Sequence, residues 1–565
     1  MSASRSEVAG PKGTPARVMS ILARAGVLLP ARPDRNARQL SSLARWGATV
    51  AGGYRAAAAR SPRRIAVVDE RREVTFRDLH RRAVRFAYGL ERLGAGPGSR
   101  VAVLCRNHAW FVETVVACAE LGADVVLLNT GMLPRATAEV LRGHAPAVIV
   151  ADAEFAEHVA AARLDAPLIV AWPEVGGPGP GPGRTHGSAG GYRNAPFAPV
   201  GTVEDVIAAG AGGKRHPPET PGRLIVLTSG TTAAPKGAIR TNPPGLSAPA
   251  AFLSRIPLRA CESVLVATPL FHMWGLAALQ MGMALRDTLV LQRYFEPKAA
   301  LQAVADHGCE AVFGVPIVLQ RILELPPGLR DAYDTSSLRV VATSGAPIPS
   351  PVVTRFMDVF GDVLYNFYGS TEVSWAAVAG PADLRIAPTT AGRPPMDSRL
   401  TVLDDLGAVL PRGVTGRIFV WNDMLFAGYT SGGTKEYRGG YMATGDRGHL
   451  DSSGRLFVEG RDADMIVCAG EQLFPREVED LLTAQPEVRE AAVVGVPDGD
   501  QGQRFAAYVV VRPGAELTAP QVRGLVARHL PGNAVPRDVV FVDVLPRNAT
   551  GKVMVRNLPP SLAGA

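Results

Sequence analysis

VAVLCRNHAWFVETVVACAELGADVVLLN (residues 101–129) holds two apolar runs, VAVLC and VVLLN, on either side of a helical stretch that ends near Gly122. Runs that are apolar throughout, rather than alternating, are what parallel strands covered on both faces require, and the helix between them supplies the crossover. The alternation continues in both directions. Upstream, Thr75 and Asp78 make a capping-box-like start, after which Leu79, Ala83, Phe86, Ala87, Leu90 and Leu93 recur at helical spacing. Downstream, another helix leads to AVIVA (147–151), and further units follow to about residue 400. The pattern predicts an α/β fold on a parallel sheet.

From about 400 to 460, extended segments such as RLTVLDD and GRIFVW predominate. Past Arg461, helical VEDLL and PQVRGLVARHL alternate with extended AAVVGV, FAAYVVV and DVVFVDV, the texture of a compact α+β unit. The expected organisation is an N-terminal extension (1–55), a large α/β domain with a β-rich portion (56–461), and a small α+β C-terminal domain (462–565). The extension is Arg- and Ala-rich. It suits a mobile arm, an amphipathic surface helix around Val18, Ile21, Leu22 and Leu28, or an ordinary packed segment. GGPGPGPGRTHGSAGG (176–191) reads as a loop within the α/β layer.

At 565 residues, 47% hydrophobic and 20% charged, the chain is globular and long enough for several subdomains. Its +8 net charge suits polyanionic small molecules or an acidic membrane surface, so peripheral membrane contact is compatible with it. Nucleic acid is not expected as a partner, because aromatics are 6% and no nucleic-acid-binding signature occurs. Five scattered cysteines without CxxC spacing indicate neither a disulfide framework nor a zinc site, which fits a cytoplasmic location. The run Ser263 to Leu285 lacks charge and mimics a membrane span; Pro269, His272 and Gln280 argue instead for a buried strand, loop and helix.

LIVLT (224–228) runs into SGTTAAPKG (229–237), which offers backbone amides, hydroxyls and a lysine at the end of a buried strand, the groups a polyphosphate needs. It is not a Walker loop, since Lys236 lacks the preceding Gly and following Ser/Thr. Lysine is rare here: only positions 12, 214, 236, 298, 435 and 552 carry it. Two of the six stand in Gly-containing motifs, Lys236 in PKG and Lys552 in TGK.

Eight motifs in order carry a resemblance. They are TSGTTAAPKG (228–237), PLFHMWG (269–275), TSGAPI (343–348), YNFYGSTE (365–372), YMATGD (441–446), VEGRDADMI (458–466), AGEQLFPREVE (469–479) and LPRNATGKVMVR (545–556). With them the chain resembles the adenylate-forming superfamily of acyl-CoA synthetases, adenylation domains and luciferases, from about residue 60 to 558. VAVLCRNH followed by GADVVLLNTG looks most like bacterial fatty-acid CoA ligases.

The resemblance implies attack of a carboxylate on the α-phosphorus of ATP, giving an acyl-adenylate and pyrophosphate, then displacement of AMP by coenzyme A. The implied substrate is a fatty acid, with ATP, Mg²⁺ and coenzyme A as cofactor and co-substrates and the oligomeric state left open. The nucleotide would be bound by Thr228, Ser229, Gly230, Thr231, Thr232, Lys236, Gly345, Ala346, Asn366, Tyr368, Gly369, Asp446, Arg461 and Gly470. Within that set Tyr368 offers a stacking face, Asn366 an amide for the base, Asp446 a carboxylate for the ribose and Arg461 a cation. Catalysis would fall to Lys552, Glu372, Thr371 and His272, with Glu372 holding Mg²⁺. His272 and Trp274 would flank the carboxylate, and small Gly275, Ala277, Ala278 and Gly282 would line the acyl pocket. Alanines depart from the family pattern at 233, 463 and 469; Ala463 marks the expected hinge (462–464) of the small domain. Alternatives are an acyl-AMP ligase loading a carrier protein and a silent acyl- or nucleotide-binding homologue.

Overall fold

The computed structural model describes residues 15–28, 32–174, 199–210, 212–228, 236–240, 245–468, 471–498, 503–548 and 551–560. The Gly/Pro loop 176–191 and most of SGTTAAPKG lie outside them.

The opening stretch folds as its pattern predicts. Arg100–Leu104 and Asp124–Leu127 pair in parallel, Val101 opposite Val125, and the helix Ala109–Leu121 crosses between them, ending on left-handed Gly122. Nearly every residue of this helix is buried, including Glu113 and Glu120. Both acids are neutralised: Glu113 accepts from Arg82 Nε at 2.7 Å and Glu120 from Arg55 Nε at 2.8 Å. Removing Arg55 would strand the buried charge of Glu120, whereas Glu113 is also held by Arg72. The strands belong to an eight-stranded sheet that also holds Val148–Ala151, Leu168–Val170, Leu224–Leu227 and Gly237–Arg240. A second eight-stranded sheet is formed around Ser263–Val266, Ala311–Gly314, Val340–Thr343 and Leu364–Tyr368, parallel through its centre. One large core joins residues of both sheets.

Ser263 to Leu285 forms the strand Ser263–Val266, a turn, and the helix Met273–Leu285, and no helix among the described residues is long and apolar enough to cross a membrane. The N-terminal segment is packed. Its helices are Pro15–Arg24, Pro33–Trp46 and Val50–Arg60; Ile21 and Leu22 are buried, whereas Leu28 is exposed. Arg55 lies 3.8 Å over the Trp46 ring, so the same cation that neutralises Glu120 also ties two of these helices together.

The β-rich portion is an antiparallel sheet in which Tyr441–Leu450 pairs with Leu456–Arg461, setting Asp446 opposite Arg461. The 3-10 turn Asp462–Asp464 follows. Asp462 is held by Arg447 Nε at 2.5 Å and Arg417 Nε at 3.3 Å; Ala463 beside it is exposed. Beyond it stands the small C-terminal domain, Val488–Pro497, Gln503–Val511 and Asp538–Phe541 covered by the helices Pro475–Thr483 and Ala519–His529. Arg489 grips Glu324 through two bonds of 2.9 and 2.8 Å, and Gln320 donates to Arg489 O at 3.3 Å. These bonds dock the small domain on the large one. The turn around Lys552 is closed by Asn548 N donating to Lys552 O and Lys552 N donating to Asn548 Oδ1. Left-handed Gly551 sits where a Cβ would stand 2.8 Å from Ile317 Cγ2, so the turn approaches the large domain closely.

Candidate active site

A cavity of about 730 Å³ opens between the two domains. At one end its wall is made by His272, Gly345, Thr371 and Glu372 of the large domain, Asp446 and Arg461 of the β-rich portion, and Lys552 of the small domain. Thr228 and Gly369 also line it.

Glu372 is held from three sides. Tyr429 Oη donates to Oε1 at 2.8 Å, Ser370 Oγ donates to Oε2 at 3.0 Å, and Phe426 N donates to its carbonyl at 2.8 Å. Below it Arg240 is fully buried and donates to Thr371 O and Met424 O, both at 2.7 Å, and to Ser374 Oγ. Burial brings the Arg240 guanidinium down to about 10, opposed by the Glu372 charge. The carboxylate thus keeps lone pairs toward the cavity while its orientation is set. One carboxylate beside room for phosphate oxygens and water suits Mg²⁺, so the residues present fit that ion.

Asp446 accepts from Tyr368 Oη at 2.5 Å and lies 3.8 Å from Arg461 Nε. Burial pushes its carboxyl up while Arg461 pulls it back. Lys552 is brought down to about 8, first by burial and then by the like charge of Arg461, with Asp446 and Glu372 opposing. His272 caps the helix Met273–Leu285: its Nδ1 accepts from Trp274 N at 3.4 Å. Burial, and secondarily Lys552, brings its ring down to about 4. The ring is therefore neutral at pH 7, and with Nδ1 accepting, its proton sits on Nε2 as a donor. The end of the cavity is a place for anions: the cations Lys552, Arg461 and Lys435, a neutral donor, and two acids fixed by hydrogen bonds.

The structure thus brings Thr228, His272, Gly345, Gly369, Thr371, Glu372, Asp446, Arg461 and Lys552 together. Ala346, Asn366, Tyr368 and Lys236 are not in its wall: Asn366 Nδ2 donates to Thr390 O at 3.2 Å, Tyr368 is spent on Asp446, and Lys236 is exposed, its Nζ 5.5 Å over the Tyr429 ring. Ser229, Gly230, Thr231, Thr232, Gly470, Ala233 and Ala469 lie outside the described residues. The neck of the 229–235 loop is described: Thr228 N and Oγ1 both donate to Lys236 O, at 2.9 and 3.2 Å.

The acyl-pocket expectation needs correction. Ala277 lines the cavity, but Gly275, Ala278 and Gly282 do not. They form the opposite stripe of the helix. A Cβ on Gly275 would stand 2.2 Å from Pro269 O and one on Gly282 2.6 Å from Leu289 Cδ2, so these residues are small to let the helix lie against its neighbours. The cavity side of the helix is centred on Met273, Ala277, Gln280 and Ala284, at helical spacing of four, three and four, with Trp274, Leu276, Met281, Met283 and Leu285 flanking them. Sequence reasoning also missed Arg240 and Tyr429, which orient Glu372, and the N-terminal helices, which supply Leu22, Leu43 and Val50 to the wall. Leu22 was legible only as part of an amphipathic helix; no motif surrounds Arg240 or Tyr429.

A two-domain α/β chain whose small domain presents one lysine to a nucleotide-sized, acid-and-cation-lined cavity defines the adenylate-forming class. Comparison with known proteins agrees. The model of the AMP-binding enzyme family matches residues 54–430, and that of the AMP-binding enzyme C-terminal domain matches 477–552. The chain is 32% identical over 507 residues to a 3-[(3aS,4S,7aS)-7a-methyl-1,5-dioxo-octahydro-1H-inden-4-yl]propanoyl:CoA ligase of Mycobacterium tuberculosis, covering 87% of this chain and 94% of that one. It is 32% identical over 499 residues to a feruloyl-CoA synthase of an Amycolatopsis species, covering 87% and 95%. Among solved structures, o-succinylbenzoate CoA synthetase of Bacillus subtilis in complex with its acyl-adenylate intermediate superposes with a TM-score of 0.74 at 25% identity, covering 89% and 97%. The chain belongs to the AMP-binding enzyme family, among its AMP-forming acid–CoA ligases.

Proposed function

We propose that the protein activates an apolar-bodied carboxylic acid with ATP and transfers the acyl group to coenzyme A. The observation that carries this reading is one continuous cavity, with Lys552, His272, Glu372 and Asp446 at one end and a wall of Leu, Val, Met and Phe side chains leading away from it. In the first step a carboxylate oxygen bonds to the α-phosphorus of ATP and pyrophosphate departs. Two anions must meet, so the protein's contribution is positive charge and alignment rather than a nucleophile. Lys552 neutralises the approaching carboxylate and α-phosphate oxygens, and His272 Nε2–H donates beside them. Arg461 and Asp446 hold the ribose side, and the 228–237 loop takes the departing phosphates. Glu372, oriented by Tyr429 and Ser370, would hold Mg²⁺, which supplies charge neutralisation on the phosphates when bound. In the second step the thiol attacks the acyl carbon and AMP leaves, after the small domain has swung about residues 462–464. We place the domain boundary at that turn, consistent with the clamp on Asp462 by Arg417 and Arg447.

The acid itself belongs to this proposal. Its body is apolar; a fatty acid fits the wall, and so does a fused-ring acid like the one named in the mycobacterial relative. Carboxylate-dependent exchange of labelled pyrophosphate into ATP, over a panel of alkyl, aryl and fused-ring acids, tests the first step. AMP release with and without coenzyme A tests the second. No exchange with any acid from folded protein would overturn the reading. Exchange without stimulation by coenzyme A would point to a carrier protein as acceptor.

A pH profile follows from Lys552. Its folded-state value of about 8 lies below the ordinary lysine value, so the charge needed for adenylation is lost as pH rises through 8 rather than through 10.5. The kcat/KM for pyrophosphate exchange, which reports the free enzyme, is expected to fall tenfold per pH unit above about 8. Lys552→Arg should move that limb beyond pH 10. A flat wild-type profile to pH 10 would show that Lys552 is not the titrating group.

A further inference from the structure

The cavity has a second polar end. The helix Met273–Leu285 works as a ruler along the wall: His272 caps its start at the reacting end, and Arg286 follows its last residue. Fourteen residue steps at 1.5 Å put the two backbones about 21 Å apart. Both side chains line the same cavity. Arg286 is 3% exposed, and its Nε and Nη1 have no hydrogen-bond partner among the described residues; Nη2 reaches only Cys261 Sγ, at 4.0 Å. Arg60, the last residue of Val50–Arg60, stands at the same end, its Nη1 donating to Asn36 Oδ1 at 2.5 Å and Gln39 Oε1 at 2.8 Å.

Elsewhere the buried guanidinium groups find acceptors: Arg240 donates to two carbonyls and a hydroxyl, and Arg330 pairs with Asp331. Arg55 has Glu120, Arg293 has Glu154 and Arg72 has Glu113. At this end the acids are turned away: Glu262 is paired with Arg339, and Asp287 Oδ1 accepts from Glu262 N. Among the described residues no carboxylate stands within 4.0 Å of Arg286. The C-terminal end of its own helix offers Arg286 a favourable dipole but no acceptor for Nε–H or Nη1–H. Burying guanidinium N–H groups unpaired is costly, and more so beside a second guanidinium; burial first, and then the like charge of Arg286, brings Arg60 below its ordinary value. An oxygen acceptor delivered by a ligand would remove that cost.

We infer that Arg286 and Arg60 form a distal recognition site for an acceptor group on the substrate, a second carboxylate or a carbonyl oxygen, at the end of the acid remote from the carboxylate that is activated. This deepens the proposed function and rests on it. The apolar stretch between the two ends then receives the body of the acid, and the neutral middle of the ruler, Ala277 and Gln280, leaves its width open. A carboxylate would form a charge-assisted pair with Arg286, a ketone a weaker bond, and a terminal methyl none.

The test is a matched series: dodecanedioic acid, 11-oxododecanoic acid and dodecanoic acid, scored by AMP release with wild-type protein. The expected kcat/KM for the diacid or the oxo-acid exceeds that for the plain acid at least tenfold, and Arg286→Met lowers the ratio below three. The oxo-acid arm separates a carbonyl from a carboxylate. Equal values for all three acids in the wild type would overturn the inference. Should Arg286→Met not fold, Arg60→Gln serves, with the ratio again expected to fall; a ratio unchanged in a folded variant of both sites would also overturn it. Failure of every acid to release AMP would overturn the ligase reading instead. The distal site is then read without turnover, by the thermal shift that dodecanedioate gives over dodecanoate in the absence of ATP; no difference would sink it.

Discussion

Lys552→Ala is expected to slow acid-dependent pyrophosphate exchange by about 10² or more, while thioester formation from supplied acyl-adenylate is retained. One preorganised charge on developing transition-state charge is worth that much, about 2.7 kcal/mol at 1.36 kcal/mol per tenfold. The geometry makes the variant informative. Lys552 is half-buried in the cavity wall, and desolvation and then Arg461 disfavour its charge against the pull of Asp446 and Glu372, so on balance the fold does not favour keeping it charged there. Its turn is held by Asn548 and by Arg547 Nη1 donating to Gly551 O at 2.6 Å, all independent of the ammonium. A folded variant with lost adenylation therefore isolates the charge. Equal loss in both half-reactions would show that Lys552 serves both, or neither directly.

Ala463→Pro is expected to keep adenylation within a few-fold and to reduce thioester formation at least tenfold. The structure holds the small domain with Lys552 in the cavity, and Asp462–Asp464 is a 3-10 turn in that arrangement. Residues of a 3-10 turn have φ near −50 to −70°, which proline shares, so the substitution fits the docked orientation. A swing that brings the AGEQ segment (469–472) to the cavity needs a large change of φ or ψ in a few residues. Asp462 cannot supply it while Arg417 and Arg447 hold its carboxylate. Ala463 is the first exposed residue past that clamp, and proline removes its freedom. Wild-type rates in both half-reactions would place the pivot elsewhere; loss of adenylation with retained thioester formation would mean the locked orientation is the other one.

The sequence determined the fold class and the reacting end of the site, because those are written in local signals. Apolar runs separated by helical spacing can be satisfied only by buried parallel strands and crossovers, and Thr75, Gly122 and the strand-to-loop passage at 224–228 mark boundaries where the backbone changes state. Glu372, Asp446, Arg461 and Lys552 were legible because each stands in a short motif of glycine, hydroxyl and charge. The other end of the cavity was not legible. Arg286 and Arg60 are two among 54 arginines, distant in the chain from each other and from any motif, and nothing local distinguishes an arginine that faces a cavity from one paired with an acid. The stripe of Gly275, Ala278 and Gly282 shows the same limit: small residues read equally as pocket and as packing. Which face of a helix meets a cavity depends on how the helix is rotated against sheets drawn from remote parts of the chain. Only the assembled tertiary structure sets that rotation, and with it which charged side chains face the cavity.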